Sequence, residues 1–465
     1  MSTRRTEPAR GMRDFLSDDV RRRQHVIGIV SRIYERYGFE PIETPAVENL
    51  ETLLGKYGDE GNQLIFKILK RGEHEASGEA DLALRYDLTV PLARVVAHHQ
   101  AKLPRFFKRY QIQPVWRADR PAKGRFREFY QCDVDAMGSA SPVIEAEICA
   151  AASDVLTELG FDDFYLRLNH RGLLAAVLDG AGVPEPLHGT ALVALDKLDK
   201  IGMPGVAAEL AERGVEAAAI SGLGQVIEGS LAAGTSARGP LAALDFVERF
   251  LVDAGAGHSQ PNEVSQRAVG PLANLREIIR LSERTQAGPR LRFDPCLARG
   301  LSYYTGAIME IVVPDLRGSL GGGGRYDNLV GMFLGQAVPA CGFSLGLERI
   351  LVVMAEREMF PPTVHASPAD VMVAVMEGAD APHALSLAGR LRAEGLRVLV
   401  YPEADKLGKQ IKYADGRGVP MVAILGTDEI AAGTVTIKHL AAQTQSTHSQ
   451  SAAAAAIREA LTHRG

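Results

Sequence analysis

The chain has 465 residues, of which 46% are hydrophobic and 23% are charged, and its net charge is −5. This composition is typical of a globular protein of about two to four domains, and it excludes a uniformly basic nucleic-acid-binding chain. No apolar run reaches the roughly 18 residues that a membrane-spanning helix needs. The four cysteines form no CxxC pair, so we predict neither a disulfide framework nor a metal held by protein ligands.

The N-terminal half begins with a helix predicted over residues 17–38, where apolar residues recur at helical spacing and Ser17 is placed to cap the N-terminus. The first residues are basic but lack the apolar core of a signal peptide, so we expect a cytoplasmic location without a membrane. Residues 103–139 are rich in strand signals. The alternation in RFREFYQCDVDAMG predicts a strand with one polar face, and a helix over 142–160 follows it.

The middle of the chain, 171–287, is rich in Ala, Leu, Glu and Gly and has helical periodicity, which predicts a mostly helical insertion. Strand signals then resume in LRFDPCLARG and EIVVPDL, and GLERILVVMAERE predicts a helix. We therefore predict one core domain formed by 1–170 and 288–358.

The C-terminal part begins with a Pro-rich linker over 359–369. Beyond it, the apolar runs VMVAVM, LRVLVY and MVAILG are separated by helical stretches, which predicts a βαβαβ unit. We expect 370–465 to form a small α/β domain that ends in a polar low-complexity stretch and one terminal helix.

A basic segment stands out against the acidic total. It covers residues 102–127, and its 26 residues include one acid, Asp119, and nine basic side chains. The basic residues are Lys102, Arg105, Lys108, Arg109, Arg117, Arg120, Lys123, Arg125 and Arg127. One interpretation is a solvated face. The charges, however, flank the turn RADRPAKGR between strands that carry aromatic residues. Arginine forks suit phosphate oxygens and aromatic rings stack on bases, so this hairpin favours a nucleotide or nucleic acid.

Two glycine-rich segments follow later in the chain. The run 321–324 is not a P-loop, and by itself it is as typical of a flexible loop as of a backbone that approaches a ligand closely. The segment GFSLGLER places Gly342 and Gly346 before Glu348 and Arg349. That arrangement suits a phosphate or an adenine, and it equally suits tight packing of a strand against a helix.

The segment LARGLSYYTGAIMEI places Arg299 close to Tyr303 and Tyr304 in a strand-and-turn context where packing alone favours Val or Ile. A guanidinium stays charged at any working pH, so it is a permanent partner for an anion. A structural ion pair is the alternative interpretation of such an arginine.

Together these segments resemble the histidyl-tRNA synthetases, a family of class II aminoacyl-tRNA synthetases, over nearly the whole chain. The resemblance is carried by RGMRDFLSDD, YGFEPIETPAVE, LRYDLTVPLAR, VWRADRPAKGRFREFYQCDVDAMG, LARGLSYYTGAIMEI, GGGGRYDNLV, GFSLGLERI and KLGKQIKYADGRGVP. It implies an α+β catalytic domain, with an antiparallel sheet flanked by helices, a helical insertion and a C-terminal α/β anticodon-binding domain. It also implies a homodimer that joins L-histidine to tRNA(His) at the expense of ATP, with Mg²⁺ accompanying the nucleotide.

The resemblance assigns roles toward ATP and the reaction. Arg117 corresponds to the arginine that grips the α-phosphate, and Arg349 corresponds to the one against adenine and the γ-phosphate. Arg299 would approach the α-phosphate and the substrate carboxylate, so it and Arg117 are the predicted catalytic residues. The remaining predicted ATP-binding residues are Arg125, Phe129 and Glu348.

The resemblance also assigns the histidine pocket. Tyr304 and Asp135 would hold the imidazole ring, and Tyr303 would shape the pocket. The glycines at 321–324 would form its wall. The predicted residues for the α-amino group are Asp87, Thr89 and Gln131.

Two departures from the family pattern concern the loop after Arg299 and the hairpin turn. Ser302 stands where many members have Asp, and Ala122 replaces a polar residue of some bacterial members. Candidate tRNA contacts are Arg120 and Lys123 for the acceptor end. For the anticodon we consider a local patch of Lys406, Lys409, Lys412 and Arg417, and we predict contacts by Lys409 and Lys412. Solvated faces are the competing interpretation for each of these.

Three other functions compete with this prediction. One is an inactive synthetase paralogue that regulates histidine biosynthesis, but such chains generally lack the C-terminal domain and lose substrate contacts. A second is a class II synthetase for threonine, proline or glycine, which the segments RGLSYYTG and GGGGRYDN disfavour. The third is a pure RNA-binding module, which leaves the buried-looking polar residues unexplained.

Overall fold

The computed structural model describes the chain in seven stretches: 6–56, 58–72, 77–254, 263–298, 303–365, 367–376 and 380–462. The chain divides into two compact units, Met1–Phe360 and Pro361–Gly465. This division falls inside the segment predicted as a linker. The finer boundaries of the insertion within the first unit stay a prediction.

The first unit is built on a large sheet. Its strands in chain order are β1 (Glu40–Pro41), β2 (Val47–Asn49), β3 (Lys67–Leu69), β4 (Ala80–Leu84), β5 (Phe107–Trp116), β6 (Glu128–Met137), β7 (Tyr165–His170), β8 (Leu291–Phe293), β9 (Ala307–Val312), β10 (Ser319–Arg325) and β11 (Ala340–Gly346). Within the described residues, eight of them form one sheet in the order β1-β5-β6-β11-β10-β9-β7-β8. The inner pairs are antiparallel, and the outer pairs β1–β5 and β7–β8 are parallel. The strands β2, β4 and β3 form a smaller antiparallel sheet.

Helices cover the sheet and continue into the middle of the chain. They are α1 (Ser17–Arg36), α2 (Leu50–Leu53), α3 (Gly58–Gln63), α4 (Thr89–His99), α5 (Val143–Glu158), α6 (Arg171–Gly180), α7 (His188–Leu195), α8 (Leu198–Glu212), α9 (Ala217–Gly234), α10 (Pro240–Asp253), α11 (Glu263–Ser282), α12 (Gly331–Leu334) and α13 (Leu347–Glu356). Helices α6 to α11 occupy the segment predicted to be mostly helical. Their buried leucines and valines share one hydrophobic core with α1, α5 and the large sheet.

The predicted cap of the first helix is wrong. Leu16 is the N-cap residue, with an extended backbone, and Ser17 is already the first helical residue. No side-chain oxygen caps this helix end. Asp18 and Asp19 in its first turn supply negative charge instead, which the positive end of the helix dipole favours.

A buried ion pair connects α5 to β10. Glu145 is fully buried on α5, and its carboxylate binds the Arg325 guanidinium through two contacts, Oε1 to Nε at 2.6 Å and Oε2 to Nη2 at 2.8 Å. Arg325 Nη1 also donates to the Ser139 carbonyl and to Asp327 Oδ1, each at 3.1 Å. This bidentate geometry holds the end of the glycine-rich strand against the helix layer.

The second unit has its own mixed sheet. Its elements are β12 (Val371–Val373), α14 (Ala381–Ala393), β13 (Val398–Val400), α15 (Leu407–Gly416), β14 (Met421–Ile424), α16 (Thr427–Ala432), β15 (Thr434–His439), β16 (Thr444–Ser449) and α17 (Ala453–Thr462). Parallel pairing of β12 with β13 and β14 confirms the predicted βαβαβ unit. No described helix in either unit combines the length and apolar character that a membrane crossing requires.

The polar low-complexity stretch before the last helix contains a strand that the sequence analysis did not predict. Thr444–Ser449 forms the edge strand β16, which pairs antiparallel with β15 over its whole length. Most of its side chains are exposed, so it has no apolar alternation from which a strand could be predicted. The backbone hydrogen bonds to β15 define the strand instead.

Candidate active site

A cavity of about 370 Å³ opens on the large sheet. It is lined by β6, β9, β10 and β11, by the start of α4 and by the hairpin between β5 and β6. Every residue predicted to bind ATP or histidine that the structure describes lines this cavity: Asp87, Thr89, Arg117, Arg125, Phe129, Gln131, Asp135, Tyr303, Tyr304, Glu348 and Arg349. Arg299 and Ser302 lie outside the described residues. The fold thus brings together side chains that are more than 250 positions apart in the chain.

Strand β6 supplies the floor of the cavity through its alternation. Gln131, Asp133 and Asp135 all line the cavity, because every second side chain of a strand points to the same face. The neighbouring strand β11 places Gly342 opposite Asp135 in register. A Cβ atom on Gly342 would lie 1.8 Å from Asp135 Oδ1, so only glycine leaves room for that carboxylate.

The glycines predicted as a flexible loop or a pocket wall form a strand, β10. Gly321, Gly322 and Gly323 line the cavity. A Cβ on Gly323 would lie 2.1 Å from the Gly342 carbonyl oxygen, so the two backbones approach too closely for any side chain. The wall is therefore bare backbone.

Asp135 is held at the deep end of the cavity by two partners. The Tyr326 hydroxyl donates to its Oδ1, and Arg109 Nη2 lies 2.7 Å from its Oδ2. The Arg109 contact is an ion pair without hydrogen-bond geometry, since Oδ2 has no hydrogen-bond partner among the described residues. Burial raises the pKa of Asp135, and the Arg109 charge opposes that rise. Tyr304 lines the same region, and its pKa is raised first by burial and then by nearby carboxylates including Asp135. Its phenol therefore stays protonated and available as a hydrogen-bond donor.

A second carboxylate stands at the beginning of α4. Asp87 Oδ1 accepts a hydrogen bond from the Val90 amide at 3.0 Å, and the Tyr303 hydroxyl lies 3.3 Å from its Oδ2. On β6, Gln131 Nε2 donates to Ser344 Oγ at 2.9 Å. The buried Gln131 Oε1 has no hydrogen-bond partner among the described residues. An unsatisfied buried acceptor is costly, which indicates that a ligand donor completes this site.

Arginines and aromatic rings form the other end of the cavity. Arg117 Nε donates to the Tyr86 carbonyl at 3.0 Å, which directs the two terminal nitrogens of the guanidinium away from that bond. Its charge lies 4.3 Å from the Tyr86 ring centroid and 5.2 Å from that of Phe129. Arg349 Nη1 donates to the Ser319 carbonyl at the start of β10. These bonds orient two fixed positive charges toward one space beside an aromatic surface.

Glu348 lines the cavity but has protein partners on both oxygens. Arg23 Nη1 lies 2.8 Å from Oε1, and the Tyr130 amide donates to Oε2 at 2.9 Å. The side chain is 3% exposed. It therefore connects α13, α1 and β6, and this local role was not predicted from the sequence.

The residues predicted to contact tRNA lie on the surface rather than in the cavity. Arg120, Lys123, Lys409 and Lys412 are all exposed. Lys123 Nζ lies 2.6 Å from Glu356 Oε1, and Lys409 Nζ lies 2.7 Å from Asp405 Oδ2. Their roles toward RNA stay predictions.

Several cavity residues were missed in the sequence. Asp133, Tyr326 and Ser344 line the cavity, and Arg109, which belongs to the basic segment, is fully buried beside Asp135 rather than on a surface. The period of two along β6 is the signal that could have found Asp133, since it places that residue between Gln131 and Asp135. No local signal marks Arg109 as buried, because its carboxylate partners lie on another strand.

Comparison with known proteins agrees with this geometry. A family model described as Histidyl-tRNA synthetase matches residues 11–350, and one described as Anticodon binding domain matches residues 370–460. The Histidine--tRNA ligase of Christiangramia forsetii is 39% identical over 455 residues, which cover 94% of this chain and 96% of that protein. The Histidine--tRNA ligase of Leifsonia xyli subsp. xyli is 40% identical over 439 residues, with 90% and 95% covered.

Solved structures give the same assignment of the fold. The crystal structure of histidyl-tRNA synthetase from Nostoc sp. PCC 7120 has a TM-score of 0.78 at 29% identity, covering 98% of this chain and 99% of that one. The structure of an ATP phosphoribosyltransferase regulatory subunit/histidyl-tRNA synthetase from Bacillus halodurans C has a TM-score of 0.69 at 21% identity, with 89% and 97% covered. The second likeness concerns the fold alone. The predicted fold class, an α+β domain with a separate C-terminal domain, is confirmed, and the chain belongs to the histidyl-tRNA synthetase family.

Proposed function

We propose that this chain is a histidine–tRNA ligase that works through the cavity on its large sheet. It activates L-histidine with ATP to histidyl-adenylate and pyrophosphate, and it then transfers histidine to the 3′ end of tRNA(His). The observation that carries the assignment of roles is one cavity that is lined both by carboxylates, an amide and phenols and by arginines and aromatic rings.

At the nucleotide end, Arg117 receives the α-phosphate. The Tyr86 carbonyl orients its guanidinium before ATP arrives, so little reorganisation is needed when charge develops on the phosphoryl group under attack. Arg349 packs on the adenine and contacts the γ-phosphate, and Phe129 covers the other face of the base. Arg125 contacts the triphosphate from the hairpin. Glu348 acts here by fixing Tyr130 and Arg23.

At the amino-acid end, Asp135 and Tyr304 hold the two imidazole nitrogens, and Tyr303 shapes the pocket. Asp87, Thr89 and Gln131 receive the α-ammonium, and the Gln131 Oε1 then gains the donor it lacks. A site that hydrogen-bonds both ring nitrogens rejects analogues without them, because its buried polar groups would be left unpaired.

Arg299 enters this proposal through the family resemblance alone. It stands next to the cavity residues Tyr303 and Tyr304 in sequence, where a permanent charge would neutralise the α-phosphate and the histidine carboxylate. We also propose that Arg120 and Lys123 contact the acceptor end of tRNA, and that Lys409 and Lys412 contact the anticodon.

Mg²⁺ would enter with the nucleotide. Among the described residues, no group of three or more His, Cys, Asp or Glu side chains could hold a metal ion. The carboxylate of Glu310 lines the cavity. One carboxylate together with phosphate oxygens and water is a usual set of Mg²⁺ ligands, so the residues fit an ion carried by ATP. When bound, the ion supplies positive charge to the phosphates.

We propose a homodimer because the small sheet leaves apolar side chains exposed. Val47, Leu54, Leu69 and Leu82 are 38%, 37%, 53% and 36% exposed, respectively. Val47, Leu69 and Leu82 belong to β2, β3 and β4, and Leu54 directly follows α2. A second copy of the chain would cover them. Light scattering at micromolar concentration should therefore give twice the chain mass of 50.0 kDa. A monomer under these conditions would contradict the proposal. We place the enzyme in the cytoplasm because its substrate is tRNA.

The decisive experiment is exchange of labelled pyrophosphate into ATP with the purified protein. We expect exchange when L-histidine is present and none with L-threonine or L-proline, because those amino acids cannot satisfy the polar groups around Asp135. Equal exchange with the other amino acids would contradict histidine specificity. A folded protein that binds histidine but performs no exchange would instead fit the inactive regulatory paralogue.

A further inference from the structure

We propose that Asp133 is a further histidine-binding residue, whose carboxylate receives the α-ammonium of the substrate together with Asp87. The inference rests on the proposed function, because it concerns the amino-acid end of the same cavity. It adds a second carboxylate to the three residues that the family resemblance assigns to the amino group.

The position of Asp133 supports a direct contact. Its side chain is 2% exposed and lines the cavity, on the same face of β6 as Gln131 and Asp135. Ser344 stands opposite it on β11. Gln131 Nε2 lies 3.4 Å from Asp133 Oδ1, a weak contact compared with its 2.9 Å bond to Ser344. The Ser344 hydroxyl, which accepts from Gln131, hydrogen-bonds to Asp133 in turn. Asp133 thus belongs to the same buried group of polar side chains as Gln131, whose Oε1 has no hydrogen-bond partner among the described residues.

The distances argue against a purely structural role. Arg109 Nη2 lies 3.9 Å from Asp133 Oδ2 but 2.7 Å from Asp135 Oδ2. The guanidinium thus belongs mainly to Asp135, which also accepts the Tyr326 hydroxyl. If Asp133 served only to neutralise Arg109, we would expect Asp133, and not Asp135, to make the shorter contact with the guanidinium.

The local charge around Asp133 also suits a cation. Asp87, Asp133 and Asp135 are buried carboxylates that line one space, and Arg109 is the guanidinium beside two of them. Burial raises the pKa of Asp133 to about 7, and the carboxylates of Asp135 and Asp87 add to this rise, whereas the Arg109 charge and a hydrogen bond from Ser344 oppose it. An arriving ammonium, with three donors, would offset this repulsion and could contact Asp87, Asp133 and Gln131 at once.

An ammonium suits this position better than the imidazole ring. Asp135, one alternation further along β6, is held by Arg109 and Tyr326 and is next to Tyr304, the predicted partner of the ring. Asp133 lies between that group and Gln131, a predicted α-amino ligand. Along this strand, Gln131 and Asp133 are therefore matched with the α-ammonium of the substrate, and Asp135 is matched with its imidazole ring.

The test uses Asp133→Asn, which keeps the shape and removes the charge, and three ligands. L-Histidine and histamine carry the ammonium, whereas 3-(imidazol-4-yl)propanoate lacks it. Loss of a charged hydrogen bond should weaken binding of L-histidine and histamine by about ten- to hundredfold, and binding of the propanoate should not weaken. Titration calorimetry measures all three dissociation constants. As a matched control, Asp199→Asn changes an exposed carboxylate on α8 and should alter none of them.

A second measurement detects the proton that Asp133 releases when histidine binds. In the empty cavity Asp133 is partly protonated near pH 7, and the ammonium lowers its pKa, so histidine binding should release protons to the buffer. The charged and titratable groups that interact with Asp133 are Arg109, Asp135, Asp87, Arg85, Tyr34 and Tyr304. The thiol of Cys132, its neighbour in the chain, also interacts with it. Calorimetry in two buffers of different ionisation enthalpy should detect release for the wild type and less for Asp133→Asn.

Three results separate the possibilities. Equal weakening of the propanoate and of histidine in a folded Asp133→Asn protein would show a structural role, and it would overturn the inference. Unchanged binding of histidine and histamine by this variant would overturn it as well. A wild-type protein that fails to bind L-histidine would instead refute the proposed function, independently of Asp133.

Discussion

Arg117→Ala is expected to lower the histidine-dependent rate of pyrophosphate exchange by about 10²–10³-fold, equivalent to about 3–4 kcal/mol of transition-state stabilisation. Its guanidinium is oriented by the Tyr86 carbonyl and lies over the Tyr86 ring, so its position is set before the substrates bind. Because alanine leaves the developing phosphoryl charge without this partner, the loss should appear mainly in kcat. Steady-state exchange kinetics with histidine and ATP varied in turn would measure it.

Two further variants make the result specific to the site. Arg117→Lys keeps the charge but loses the planar fork, so it should recover only part of the rate. Arg105→Ala removes an exposed charge from the same basic segment and should leave kcat unchanged. A wild-type kcat in a folded Arg117→Ala protein would exclude Arg117 from the reaction. Equal losses in the Arg105 variant would point to the overall charge of the segment instead.

Glu145→Ala is expected to lower the free energy of unfolding of the first unit by about 3–5 kcal/mol, because the buried Arg325 charge loses its bidentate partner and keeps only a single contact with the partly exposed Asp327 carboxylate. Glu145 is fully buried, and both of its oxygens contact the guanidinium. The single tryptophan of the chain, Trp116, lies on β5 of this unit, so its fluorescence during urea unfolding reports the change.

Helix α5 also offers a matched control. Glu147 pairs with Lys108 at 2.9 Å, but both side chains are partly exposed. Water and salt screen such a pair, so Glu147→Ala should cost no more than about 1 kcal/mol. Similar losses in the two variants would contradict the importance of burial at Glu145. Since Arg325 ends the glycine-rich strand, the Glu145 variant should also weaken histidine binding.

Much of the fold could be predicted because local patterns agree with it. The helical period of α1, the alternation of β6 and the βαβαβ order after the linker all appear in the structure as predicted. These patterns are local contrasts between apolar and polar residues, which are written in consecutive positions of one element. The polar edge strand β16 was missed because both of its faces meet water and such a contrast is absent.

The candidate site was predicted less completely, and for a different reason. Sequence motifs identified the residues that line the cavity, but they did not reveal the partners of those residues. Glu348 was predicted to bind ATP, and its carboxylate contacts Arg23 and the Tyr130 amide. Arg109 was counted in the basic segment for which a nucleotide or nucleic acid was favoured, and it is buried beside Asp135. Partners of this kind lie on other elements, so no local pattern contains them.

The sequence by itself determined the family, the order of helices and strands, and most of the residue types at the two ends of the cavity. Only the tertiary structure decided that β11 lies between β6 and β10, which puts Gly342 against Asp135 and Ser344 against Asp133. The physical reason is that local propensities depend on near neighbours in the chain. A buried charge, in contrast, is stabilised or destabilised by the groups that the sheet order places within a few ångströms. The pKa of Asp133 depends on such groups, namely Arg109, Asp135 and Ser344.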